Sequence, residues 1–86
     1  MIKIIYSPKF AKEYKKLPDK IKNIAEEKEK YFRANPFDAR LHTHKLAGKL
    51  KGFWAVSIDQ KYRIIFEFAD KDLIYFHSVG DHDIYK

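Results

Sequence analysis

Apolar and polar positions along the chain follow two different periods. Residues 2–6, Ile-Lys-Ile-Ile-Tyr, are a short β-branched and aromatic run, which predicts a buried strand. From residue 10 the period lengthens. Phe10, Ala11, Tyr14 and Leu17 recur every three or four positions and mark one face of a helix. Ser7 is placed to cap it, and Pro8 sits in the first turn, where the missing N–H has no intrahelical partner to lose. Pro18 breaks this helix and, with Asp19, opens a second. There Ile21, Ile24, Ala25, Lys28, Tyr31 and Phe32 trace the inward stripe. Asn35 ends it, because a residue before proline is pushed out of the helical region.

Beyond Pro36 the helical period disappears. Residues 38–52 hold two glycines, two histidines and four basic side chains, and they predict a loop leading into a strand. Residues 53–59, 61–68 and 73–80 read as strands, with a turn at 69–72. Their short connections predict an antiparallel meander. Two amphipathic helices cannot bury their stripes alone, so they must lie on one sheet face. The expected fold is α+β in the order β-α-α-β-β-β, one domain over residues 1–86. The first strand is expected at a sheet edge.

Composition narrows the function classes. Hydrophobic residues are 45% of the chain and aromatics 16%, enough for a packed core. No apolar run approaches the roughly 20 residues of a membrane span, and the N-terminus lacks a signal-peptide core. A chain without cysteine forms no disulfide and no thiolate metal site, which fits a reducing cytoplasm. The formal net charge of +6 favours a polyanionic partner, either nucleic acid or an acidic protein.

No phosphate loop or dinucleotide fingerprint is present; the glycine spacing at residues 48–52 fits neither. His42 and His44 lack a third ligand at a familiar spacing, so no metal or other cofactor is expected. Polar residues remain that neighbouring strands would gather. Arg63 stands among apolar neighbours, where it is either a surface side chain or a planar cation for a phosphate. His44 precedes one strand and His82 follows the last, and imidazole carries protons near neutral pH. Lys45, Lys49, Lys51 and Lys61 supply further charge, and Trp54 either stacks on bases or packs in the core.

Three stretches carry a likeness. The block "HKLAGKLKGFWAVSI", the strand "KYRIIFEF" and the end "SVGDHDIYK" resemble the RelE/ParE superfamily of type II toxins, and most of all its YoeB and YafQ branches and plasmid-stabilisation proteins. The resemblance spans nearly the whole chain. It implies a ribosome-dependent endoribonuclease that cuts mRNA in the A site by attack of a ribose 2′-hydroxyl, and a cognate acidic antitoxin as partner. Carried over, His44 is the base, with His42 as second choice. Arg63 is the phosphate clamp, His82 the general acid and Tyr85 the substrate-orienting aromatic. Lys45, Lys49, Lys51, Trp54 and Lys61 would contact RNA. RelE keeps lysines where this chain has Ala55 and Ser57. YafQ-like toxins carry a histidine near Ser57 and an aspartate near Lys61, and neither is present here. A ParE-like gyrase poison and an inert antitoxin-binding homologue are the alternatives.

Overall fold

A computed structural model describes residues 2–81. The chain runs β1 (Lys3–Tyr6), α1 (Pro8–Lys15), α2 (Asp19–Ala34), β2 (His44–Lys45), β3 (Trp54–Ser57), β4 (Arg63–Asp70) and β5 (Leu73–Gly80). Single 3-10 turns occupy Ala39–Leu41 and Gly48–Leu50. The sheet order is β1-β5-β4-β3-β2. β1 lies at one edge and runs parallel to β5, while the other neighbours are antiparallel. The expected α+β architecture is therefore present, with one addition. Within the expected loop, His44 and Lys45 pair with Ala55 and Trp54 as a fifth strand. Two residues carry no period, so this strand left no pattern to read.

Local chemistry sets the helix ends. The Ser7 hydroxyl accepts from the Phe10 N–H at 2.9 Å and donates to the His77 carbonyl at 2.7 Å. One side chain thus caps α1 and ties it to β5. Farther along α1, Glu13 Oε1 accepts from the Val79 N–H at 3.1 Å. Asn35 is extended, with φ −161°, as a residue before proline must be.

The helices cover the sheet face formed by Val56, Ile64, Phe66, Ile74, Phe76 and Val79. Phe32 of α2 meets Phe66 and Phe76 edge-on, at 5.0 and 5.5 Å between ring centroids. Edge-to-face rings place a positive rim against a negative face, adding to the gain from burial.

The alternate residues point to the second face. Ala55 pairs with both His44 and Ile65, and Ile65 with Ser78, so the four share that face. Ser57, Arg63 and Gly80 follow at one end of it. The register slips between Ile65–Ser78 and Phe66–Phe76, leaving His77 as the extra residue of a β-bulge. Among the described residues no helix is long and apolar enough to cross a membrane.

Candidate functional site

A cleft of about 480 Å³ opens at the β3–β4 end of the sheet. It is lined by Lys28, Arg40, His42, His44, the segment 57–60 and Arg63. Three residues singled out in the sequence therefore meet at one cavity, His44 from β2, Arg63 from β4 and His42 from the turn before β2.

Each is held by backbone. Residue 42 has φ 52°, a left-handed turn unusual outside glycine. Its carbonyl lies 2.9 Å from His44 Nδ1. A carbonyl only accepts, so in the neutral ring Nδ1 carries the proton and Nε2 keeps its lone pair. His44 is exposed, leaving Nε2 open to a substrate proton. Arg63 Nη1 donates to the carbonyls of Asp59 and Tyr62, the latter at 3.0 Å. Toward the described residues, Nε and Nη2 make no further hydrogen bond. Asp59 Oδ1 accepts from the backbone N–H groups of Lys61 and Tyr62, closing the turn that Arg63 grips.

The remaining cations come from elsewhere. Arg40 forms a two-point contact with Asp38, Nε to Oδ1 at 3.0 Å and Nη2 to Oδ2 at 2.8 Å. Its guanidinium lies 3.6 Å from the centre of the Tyr31 ring. Lys28 Nζ donates to the Arg40 carbonyl at 3.0 Å, joining α2 to the wall of the cleft. Lys28, Arg40 and Arg63 thus face a cavity whose lining, among the described residues, holds one carboxylate, Asp59. Such a site attracts anions, and the planar guanidinium suits a phosphate. Sequence reading missed Lys28 and Arg40 as site residues. The signal available was Lys28 itself, a charge within the apolar stripe of α2.

The Asp38 carboxyl titrates at about 2, against an ordinary 3.8. The side-chain hydrogen bond from Arg40 is the first cause, and its backbone N–H the second. A lowered carboxyl pKa stabilises the fold above the unfolded value, and that contribution is lost as pH falls through the folded one. An NMR titration of Asp38 should therefore show a midpoint near 2, with the Asp38–Arg40 wall intact at pH 4 and released below about 2. A midpoint near the ordinary value would mean that the pair does not form in solution.

Other expected site residues are placed differently. Trp54 and Lys45 pair with each other on the helix-covered side of the sheet. The Trp54 ring packs edge-on against Phe37 at 5.5 Å and Phe68 at 5.3 Å, with Lys45 Nζ 5.4 Å from its centre. Adjacent strand residues point to opposite faces, which separates this pair from His44 and Arg63. Lys49, Lys51 and Lys61 are exposed and do not line the cleft. His82 and Tyr85 lie outside the described residues. A second groove of about 460 Å³ runs between the helices; it is lined chiefly by apolar and aromatic side chains such as Phe10, Tyr14 and Phe76, and among the described residues it holds none of the expected site residues.

Residues 4–84 match the model of a family described as the ParE toxin of type II toxin-antitoxin system, parDE. The chain belongs to this toxin family. Solved structures share the fold of this ParE-family toxin. The crystal structure of YafQ from E. coli strain BL21(DE3) superposes with a TM-score of 0.80 at 24% identity, covering 99% of this chain and 98% of that one. A YoeB/ParE toxin from Agrobacterium tumefaciens gives 0.79 at 13% identity, over 94% and 99%. The toxin of the E. coli DinJ-YafQ toxin-antitoxin complex gives 0.77 at 24%, over 96% and 94%. None of the curated proteins matches the sequence.

Proposed function

We propose that this toxin is an endoribonuclease that cuts mRNA on the ribosome, by attack of a ribose 2′-hydroxyl on the adjacent phosphorus. The carrying observation is the meeting of His44 and Arg63 in one cationic cleft, with His44 Nε2 left basic by the bond at Nδ1. In this reading His44 Nε2 takes the 2′-hydroxyl proton, and the resulting alkoxide attacks phosphorus. Arg63 steadies the charge gathering on the phosphoryl oxygens. The bond to the 5′-oxygen breaks, and His82 supplies that oxygen with a proton. The products are a 2′,3′-cyclic phosphate and a 5′-hydroxyl. Tyr85 orients the substrate, and Lys45, Lys49, Lys51, Trp54 and Lys61 serve RNA outside the cleft. The cytoplasm, where ribosomes translate, is the place of action. The partner is an acidic antitoxin, supported by the net charge of +6 and by the DinJ-YafQ complex.

A second reading rests on the matched family itself: a ParE-like toxin that poisons gyrase by binding alone. One pair of assays separates them. Purified protein added to a translation extract should cut mRNA, leaving 5′-hydroxyl ends. His44→Ala should slow cutting by roughly 10²–10⁴-fold, the usual worth of a positioned general base. Full activity of that variant would move the base role to His42. No cutting by the unaltered protein, together with blocked supercoiling by gyrase, would establish the second reading instead.

A further inference from the structure

The second sheet face carries a cluster that the proposed chemistry does not use. Phe53 precedes Trp54, so by strand alternation it shares this face with Ala55. The His77 ring stands edge-on to Phe53 at 4.6 Å, with an interplanar angle of 85°. On its other side lies Tyr75, at 4.5 Å and 60°. Glu67 pairs with Tyr75 across β4 and β5, and its Oε1 meets His77 Nε2 at 3.0 Å. Three rings thus form a row across the sheet with one carboxylate set against them. None is fully buried: the side chains of His77 and Glu67 keep 30% and 37% of their surface, and Phe53 and Tyr75 are half-buried.

The hydrogen-bonding sense of the cluster is one-sided. A carboxylate only accepts, so in the neutral ring His77 Nε2 carries the proton and Nδ1 is left as an acceptor. Toward the described residues Glu67 Oε2 makes no hydrogen bond, and each carboxylate oxygen has two lone pairs. The cluster therefore offers π faces together with acceptors. Single-stranded RNA is read in this way, by rings that stack an unstacked base and polar groups that meet its Watson–Crick edge. A base with two adjacent donors on that edge fits a carboxylate best, and guanine has them at N1–H and the 2-amino group. Uracil presents carbonyl oxygens on either side of a single N–H and would meet acceptor with acceptor. The bulge makes the arrangement possible, because its extra residue is His77 itself. Along β4, Glu67 is four residues from Arg63, about 13 Å at about 3.3 Å per residue. A nucleotide near the one bound at Arg63 comes within its reach.

We infer that Phe53, Glu67, Tyr75 and His77 form a base-reading subsite that stacks a base beside the cleavage point and selects guanine. The inference rests on the nuclease reading for its biological setting, but the subsite binds nucleotide on its own account. Its test has two arms. In the first, 5′-GMP and 5′-UMP are titrated into the ¹⁵N-labelled full chain. GMP should shift the amides of residues 53, 67 and 75–77, UMP should shift them at least fivefold less, and Glu67→Gln should remove the difference. In the second, cleavage sites in a translation extract are mapped for unaltered and Glu67→Gln protein. Cutting beside guanine, relative to cutting elsewhere, should fall by roughly tenfold, the size of a two-point base contact. Phe53→Leu and Tyr75→Leu, checked for folding by circular dichroism, should weaken GMP binding without restoring UMP. Equal shifts by the two nucleotides, or an unchanged site preference in Glu67→Gln, would overturn the guanine assignment. Absence of any shift would overturn the subsite itself. If the unaltered toxin cuts no mRNA, the nuclease reading falls, while the nucleotide titration still decides the subsite.

Discussion

Arg63→Ala should abolish mRNA cutting in a translation extract while leaving a folded domain. Among the described residues, its guanidinium is the one cation of the cleft that projects from the sheet beside the turn at 59–62. Losing a preorganised donor to a charge that develops in the transition state costs about 10²–10³ in rate, or about 2.7–4 kcal/mol. A cation whose removal also unclamps the scissile phosphate should exceed the lower figure. The same residue has a structural duty, since its Nη1 grips the carbonyls of Asp59 and Tyr62. Those bonds are worth about 1 kcal/mol each to stability. Arg63→Lys separates the two effects. A lysine can reach one carbonyl or the phosphate as a point charge, but it lacks the fork that serves both. It should keep the fold by circular dichroism and melt within about 8 °C of the unaltered chain, yet cut at least tenfold more slowly. Full cutting by Arg63→Ala would remove Arg63 from the chemistry and leave it as a clasp of its turn.

The largest loss of stability is expected from Phe66→Ala. The ring is fully buried and touches Phe32, Phe68 and Phe76, the junction of α2 with the two central strands. Truncating a buried phenylalanine costs about 3–5 kcal/mol, because a cavity remains in addition to the lost transfer energy. A domain of this size has about 4–13 kcal/mol in all, from about 0.05–0.15 kcal/mol per residue. The variant should melt at least about 12 °C lower, since each kcal/mol moves Tm by about 4–8 °C in small domains. Phe37→Ala is the matched control. Phe37 is 56% exposed although its ring stacks on Phe68, so its removal should shift Tm by a few degrees at most. Equal shifts in the two variants would mean that the core is not organised around Phe66.

Much of this fold was legible because long elements repeat. The stripes of α1 and α2, the cap at Ser7 and the stops at Pro18 and Pro36 are local chemistry and appear where the sequence puts them. The three long strands followed from their runs and turns. What escaped was short or nonlocal. β2 is two residues long, and the slip at His77 exists only in the pairing of β4 with β5. The site shows the same division. His44 and Arg63 were visible as residues, but their shared face is a matter of register. Lys28 and Arg40 enter the cleft from α2 and the turn after it, a meeting that no spacing in the chain announces. Trp54 was open to two readings, a stacking surface or a packed ring, and its ring lies against Phe37 and Phe68. The period of two that brings Ala55 toward His44 carries Trp54 away from it.

The way α1 seats against β5 bears on how the protein behaves in a crowded solution. β1 pairs with β5 only as far as Phe76, so the rest of β5 would present bare backbone groups to any passing strand. Exposed strand edges of this kind seed edge-to-edge aggregation. Here two of the outward groups are already taken, the His77 carbonyl by Ser7 and the Val79 N–H by Glu13. At the opposite edge β2 is too short to serve as a template. The helix that helps bury the core thus also leaves fewer backbone groups on this edge for another copy's strand to pair with.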